Sequence, residues 1–128
     1  MKKVKSILLV DDDSTSNFMA QLLLEDLNVA EHINTTLNGQ EALDYIQTHC
    51  TADTCPNLIL LDINMPVMNG FEFLEHFRQL PVSNQIQVVM LTSSVYHKDM
   101  EKAKSYQINY YVSKPLTTEK LQEIFSDL

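Results

Sequence analysis

The chemistry available to this chain is carried by five side chains: Asp11 and Asp12, Asp62, Thr92 and Lys114. Each comes at or just after the end of a short apolar run: Ile7 to Val10, Leu58 to Leu61, Val88 to Leu91 and Tyr110 to Val112. Carboxylates gathered in one place repel one another unless a hard cation with oxygen ligands holds them. The set therefore predicts Mg²⁺, and a hydroxyl and an ammonium beside it suit the oxygens of a phosphoryl group. Asp62, preceded by four apolar residues and followed by a loop, is the candidate nucleophile, because an aspartate attacking phosphorus forms an acyl phosphate. Two anions must meet in that step. Mg²⁺ held by Asp12, Asp62 and a loop carbonyl, with Asp11 orienting metal-bound water, supplies the neutralising charge. Lys114 meets the phosphoryl oxygens as a point charge, and Thr92 donates a hydrogen bond to one of them.

These residues meet only if the apolar runs are strands of one sheet. The runs are β-branched and aliphatic, too short for helices and separated by helical patterns, which predicts a parallel sheet buried on both faces. In such sheets ligands sit at the carboxyl ends of the strands, so the polar endings converge in one cleft. Strand and helix alternate along the whole chain, an α/β pattern without repeat or linker. The first helix is expected from Ser14 as N-cap, with Phe18, Leu22 and Leu23 on its apolar side. A second strand, Ile33 to Leu37, is the least hydrophobic and is placed at an edge. Asn38 and Gly39 turn the chain into a helix burying Ala42, Leu43 and Ile46. Pro66 bars a helix directly after Asp62, so Ile63 to Gly70 form a loop over the cleft, followed by a helix with Phe73, Leu74 and Phe77 inward. Between Ser94 and Gln107 the helical signal is weak, with Met100 and Ala103 among polar residues, and a helix that buries little is easier to move. Leu121, Ile124, Phe125 and Leu128 mark a firmly amphipathic last helix.

At 128 residues the chain is expected to be one domain, 1–128, with no attached output domain. Its apolar fraction of 45% fits a globular protein, no apolar stretch approaches the roughly 20 residues of a membrane span, and Lys2, Lys3 and Lys5 precede too short a run for a signal peptide. A cytoplasmic location is expected. The net charge of −8 argues against nucleic acid and anionic lipid as partners and favours a protein. Cys50 and Cys55 fall in a polar stretch, Thr48 to Asn57, with His49 and Asp53 nearby. That stretch is expected to be a solvated connector, neither a zinc site nor a disulfide being favoured.

With these motifs in order, the chain resembles the receiver domains of two-component response regulators, including the single-domain chemotaxis type. The matches are Asp11 and Asp12 in LLVDD, Asp62 in LILLDINMPVMNG, Thr92 in VVMLTSS and Lys114 with Pro115. The resemblance implies a five-stranded, doubly wound flavodoxin-like fold of order 2-1-3-4-5 and a Lys114–Pro115 peptide that is commonly cis. It implies that Asp62 is phosphorylated by a histidine kinase or a histidine phosphotransfer protein, and that the backbone carbonyl of Asn64 joins Asp11, Asp12 and Asp62 around Mg²⁺. Thr92 and Tyr111 become switch residues, altering the protein-binding face of the fourth helix, fifth strand and fifth helix. Ser93 is small enough to leave the phosphate accessible, and Ser94 and Asn64 tune dephosphorylation. The implied role is a signalling phosphoacceptor rather than an enzyme, a monomer or a phosphorylation-dependent dimer acting on a downstream protein.

Two other readings fit part of the sequence. Asp11 to Thr15 match the D-x-D-x-T signature of haloacid-dehalogenase-like phosphatases, with Asp11 as nucleophile. That fold needs a further acidic pair on a later strand, however, and nothing acidic lies between Glu101 and Glu119. A constitutive receiver-like interaction module is the other, against which stands the complete set of site residues. Asp13 is expected to cap the first helix rather than add charge to the cleft.

Overall fold

The computed structural model describes residues 3–50, 55–65, 67–92, 97–108 and 110–127, with His97 and Lys98 described by their backbone alone. Strands β1 (Val4–Val10), β2 (Ala30–Thr36), β3 (Leu58–Asp62), β4 (Gln87–Thr92) and β5 (Tyr110–Ser113) pair in parallel in the order β2-β1-β3-β4-β5. Helices α1 (Ser14–Leu27), α2 (Gly39–His49), α3 (Gly70–Phe77), α4 (His97–Ser105) and α5 (Thr118–Asp127) connect them. Because side chains alternate along a strand, the sheet feeds two cores. Leu8, Val10, Ile59, Leu61, Val88 and Met90 pack with residues of α2, α3 and α4, and Ile7, Leu9, Leu58, Leu60, Val89 and Leu91 pack with residues of α1 and α5. Every residue of β3 is buried, as a central strand covered on both faces requires.

The expected fold class and strand order are both found, and the Lys114–Pro115 peptide is cis. The edge strand β2 starts three residues before its expected position and ends at Thr36. The inward faces expected for α2 and α3 are the buried ones, and Leu121, Ile124 and Phe125 are buried on α5. On α4, Ala103 is buried and Met100 half-buried. Pro66, Ser93, Ser94 and Leu128 lie outside the described residues. No helix among the described residues is long and apolar enough to cross a membrane.

Two expectations are corrected in α1. Its N-cap is Asp13, the capping role expected of that residue, whose side chain accepts from Thr15 N at 3.0 Å, and the helix does not take Ser14 as its cap. Its buried residues are Asn17, Ala20 and Leu24, whereas Phe18 is 60% and Leu22 49% exposed and Leu23 only half-buried. Apolar side chains surround much of this helix, so period alone does not select a face. The Asn17 amide does: it donates to Asp11 O at 3.0 Å and Thr36 O at 3.2 Å, fixing the rotation that turns Ala20 and Leu24 inward.

The cysteine expectation is corrected as well, since Cys50 and Cys55 form a disulfide. Cys50 ends α2, its N–H donating to Ile46 O at 2.9 Å, and Cys55 lies just before β3. Both pack against the α2–α3 core. The reversal from a helix into the next parallel strand brings the two thiols together.

Candidate functional site

Where the strands end, their polar residues gather. Asp11 follows β1, its N–H donating to Thr36 O at 3.2 Å, and its carboxylate is buried between two donors. Asp13 N gives Oδ1 a bond of 3.0 Å, and Lys114 Nζ gives Oδ2 one of 2.6 Å. The same ammonium lies 3.4 Å from Asp62 Oδ1. Asp12 is exposed, yet one oxygen from each of Asp11, Asp12 and Asp62 can be chosen so that all lie within 4.8 Å of one another. Thr92 ends β4, 1% exposed, and its carbonyl accepts from Lys114 N at 2.6 Å, which ties the hydroxyl residue to the lysine through the backbone. The five residues named from the sequence thus share one cleft at the carboxyl ends of four neighbouring strands.

The electrostatics follow from crowding. Burial first, then the neighbouring Asp11 charge, push the Asp62 carboxyl up to about 6, although Lys114 pulls the other way. Burial alone would lower the Lys114 ammonium, but its hydrogen bond to Asp11 and the charges of Asp62 and Asp11 outweigh that and leave it raised. Among the described residues, one ammonium lies within salt-bridge distance of Asp11 and Asp62, and the Asp12 carboxylate adjoins those two. An oxygen-rich, net-negative cluster of this kind fits a hard divalent cation such as Mg²⁺.

Asn64 is exposed, two residues beyond Asp62. Tyr111 is half-buried against the α2–α3–α4 core, and its hydroxyl oxygen is buried without a well-formed hydrogen bond among the described residues. Burial raises that hydroxyl, the nearby Thr92 side chain opposes the shift, and the charge of Asp99 on α4 adds to it. Thr92, Tyr111 and α4 are therefore neighbours.

Residues that sequence reasoning passed over hold this cleft in place. Asn17 fixes the Asp11 carbonyl, as described above. Gly70 opens α3 so close to the end of β3 that a Cβ there would lie 2.7 Å from Asp62 O, and its N–H donates to Ile63 O at 2.8 Å. Only glycine permits that approach. The helix it starts is fixed by a reciprocal cap, Glu72 N to Asn69 Oδ1 at 2.9 Å and Asn69 N to Glu72 Oε1 at 3.0 Å. Lys120 holds the loop after β5.

A family model described as the response regulator receiver domain matches residues 7–126. The chain belongs to that family. It is 31% identical to the probable methanogenesis regulatory protein FilR2 of Methanothrix harundinacea, a match covering 95% of this chain and 79% of that protein. Among solved structures, a two-component response regulator from Cytophaga hutchinsonii superposes with a TM-score of 0.90 at 34% identity, covering 98% of this chain and 97% of that one. The phosphorylated cyanobacterial phytochrome response regulator RcpA superposes with a TM-score of 0.80 at 29% identity, over 96% of this chain and 89% of that one. The receiver is thus a phosphoacceptor of two-component signalling, a family that binds Mg²⁺ through an acidic pocket and pairs with histidine kinases or phosphotransfer proteins. The phosphatase and constitutive-module readings are not favoured.

Proposed function

We propose that Asp62 accepts the phosphoryl group. The observation that carries this reading is the Lys114 ammonium, held 2.6 Å from Asp11 and 3.4 Å from Asp62 at the end of a buried strand. Both Asp11 oxygens already accept a hydrogen bond from the protein, which makes Asp11 the poorer nucleophile of the pair. Mg²⁺ held by Asp11, Asp12, Asp62 and the Asn64 carbonyl would supply the positive charge that lets a phosphorylated donor approach the carboxylates. Lys114 then neutralises the incoming oxygens, and Thr92 supplies a hydroxyl donor beside them. The donor is a histidine kinase or a histidine phosphotransfer protein, and the chain acts as a signalling protein rather than as an enzyme on other substrates.

The output runs through Thr92 and Tyr111. Movement of the Thr92 hydroxyl towards the phosphate frees space behind it, the Tyr111 ring follows, and α4, β5 and α5 change their affinity for a downstream protein in the cytoplasm. Tyr111 suits that role because its buried hydroxyl is influenced by both the Thr92 side chain and the Asp99 charge of α4. On this reading residues 1–128 work as one receiver unit, monomeric or dimerising on phosphorylation. The donor approaches over α1, where Phe18 and Met19 are exposed and Met19 lines a cavity of about 320 Å³ together with Leu23, Leu116, Asp11 and Lys114. An apolar surface at the lip of an anionic cleft gives a docking protein the contact area that a small phosphodonor does without.

Intact mass after incubation with acetyl phosphate tests the assignment. One added phosphoryl group is expected, requiring both Mg²⁺ and Asp62, and absent in Asp62→Asn. Labelling that persists in Asp62→Asn but is lost in Asp11→Asn would overturn it.

A further inference from the structure

The first turn of α5 carries a cation where a helix least favours one. Thr117 caps this helix, its Oγ1 accepting from Lys120 N at 3.2 Å and its carbonyl from Leu121 N at 3.0 Å, which makes Lys120 the third helical residue. The unpaired N–H groups of a first turn form the positive end of the helix dipole, so an ammonium there is placed against the field. Something else must hold it.

What holds it is a set of three oxygens, one for each N–H of the ammonium. Lys120 Nζ donates to Ser113 O at 2.8 Å, to Pro115 O at 3.0 Å and to Ser113 Oγ at 3.3 Å. The two carbonyls flank Lys114, which belongs to neither β5 nor α5 and follows the last ladder pair, Thr92 with Ser113. Pro115 has no N–H with which to anchor this stretch. The Lys114 backbone is thus tied on one side to Thr92 O by its own N–H, and on the other to the first turn of α5 by Lys120.

We infer that Lys120 is a positioning residue for Lys114. By bridging the carbonyls on either side, it fixes the backbone from which the Lys114 ammonium reaches Asp11 and Asp62. This role rests on the phosphoacceptor reading and deepens it: Lys120 touches no reacting atom and acts through Lys114. A shift of the Lys114 backbone by a fraction of its 2.6 Å bond to Asp11 moves the only ammonium within salt-bridge distance of Asp62 among the described residues.

The test compares the parent chain with Lys120→Met and Lys120→Arg in three measurements: the Mg²⁺-dependent rate of phosphorylation by acetyl phosphate, the ¹³Cε resonance of Lys114, and thermal unfolding. Lys120→Met is expected to slow phosphorylation about tenfold, since small misplacement of a charge-neutralising group is costly to rate. It is also expected to shift the Lys114 resonance while leaving the melting temperature unchanged or higher, because a cation leaves the positive end of a helix. Lys120→Arg restores charge and donors, and with them most of the rate. Lys120→Met reacting at the parental rate with an unmoved Lys114 resonance would overturn the assignment. So would a slow Lys120→Met that also melts lower and is not rescued by arginine, which is a general loosening of α5. If the parent chain takes up no phosphoryl group, the phosphoacceptor reading fails, and the Lys114 resonance still decides whether Lys120 sets its position.

Discussion

The two ends of the sheet are built on opposite principles. At the amino end, Asn57 stitches three strands: its Oδ1 accepts from Lys5 N at 3.1 Å and Ser6 N at 2.9 Å, its N–H donates to Ser6 O at 2.9 Å, and its carbonyl accepts from Gln87 N at 3.0 Å. The Cys50–Cys55 disulfide closes the approach to β3 nearby. At the carboxyl end, three carboxylates gather with one ammonium among the described residues, paired to Asp11 and Asp62, and Asp62 resists ionisation up to about 6. One end satisfies its polar groups internally and contributes stability. The other holds charges that the fold alone does not satisfy, and their repulsion becomes binding energy for a cation and a phosphoryl group.

Removing the charge of Asp62 is the largest perturbation this contrast predicts. Its folded pKa is raised from 3.8 to about 6, so the folded chain holds this proton more tightly than the unfolded chain does. The resulting stability is fully present below the unfolded value and is lost as pH rises through about 6. Asp62→Asn avoids that loss, and after allowance for partial solvent access it should be more stable than the parent by about 2–3 kcal/mol near pH 8, with little gain near pH 4. Urea unfolding at both pH values measures it. A gain independent of pH would mean that neither the burial of the carboxylate nor the neighbouring Asp11 charge is the cause.

At the amino end the sign reverses. Asn57→Ala removes the acceptor shared by two strand N–H groups, one of them part-buried, and should cost about 2 kcal/mol in urea unfolding. Phosphorylation of Asp62 in the folded variant should be unchanged, because the residue sits at the far end of β3. Loss of both together would show that the two ends are not separable. Next in size is the effect of Mg²⁺ itself: at ten times its dissociation constant the parent should gain about 1.4 kcal/mol, by mass action alone. Asp62→Asn should gain less at the same concentration, and an equal gain would place the cation elsewhere.

The sequence made some of these features visible and hid others for physical reasons. The strands and their polar endings were legible because a strand buried on both faces is continuously apolar up to the residue where it meets the cleft. Strand order was not in the periodicity, which says nothing about neighbours, and came from the family resemblance. The face of α1 was misread because Phe18, Met19 and Leu22 are as apolar as the residues that pack, and one buried amide, Asn17, decides the rotation. The disulfide was missed because spacing along the chain does not give the distance between the end of α2 and the start of β3. Asn17 and Lys120 escaped notice for a shared reason: both act on backbone carbonyls, which carry no mark in a sequence.

The smallest predicted effect reads the same contrast at single backbone positions. Asn28 and Val67 both occupy the left-handed region, with φ of 53° and 68°. At the amino end Gln107, between α4 and β5, shares the conformation with φ of 65°, and Asn28, the C-cap of α1, is of a type that tolerates it, its Oδ1 also accepting from Lys3 Nζ at 3.2 Å. At the carboxyl end the residue is Val67, a β-branched residue for which the region is strained, and at 83% exposure it has little burial to offset the cost. Val67→Asn should therefore stabilise the chain by about 1 kcal/mol, and Asn28→Val should destabilise it by a similar amount. Urea unfolding of the two exchanges decides the matter as a pair. Gain at Val67 with loss at Asn28 extends the contrast from charge to backbone strain. A loss at Val67 would mean that its side chain makes a contact worth more than the strain, and that the loop beyond Asp62 is shaped for packing rather than left open for a partner.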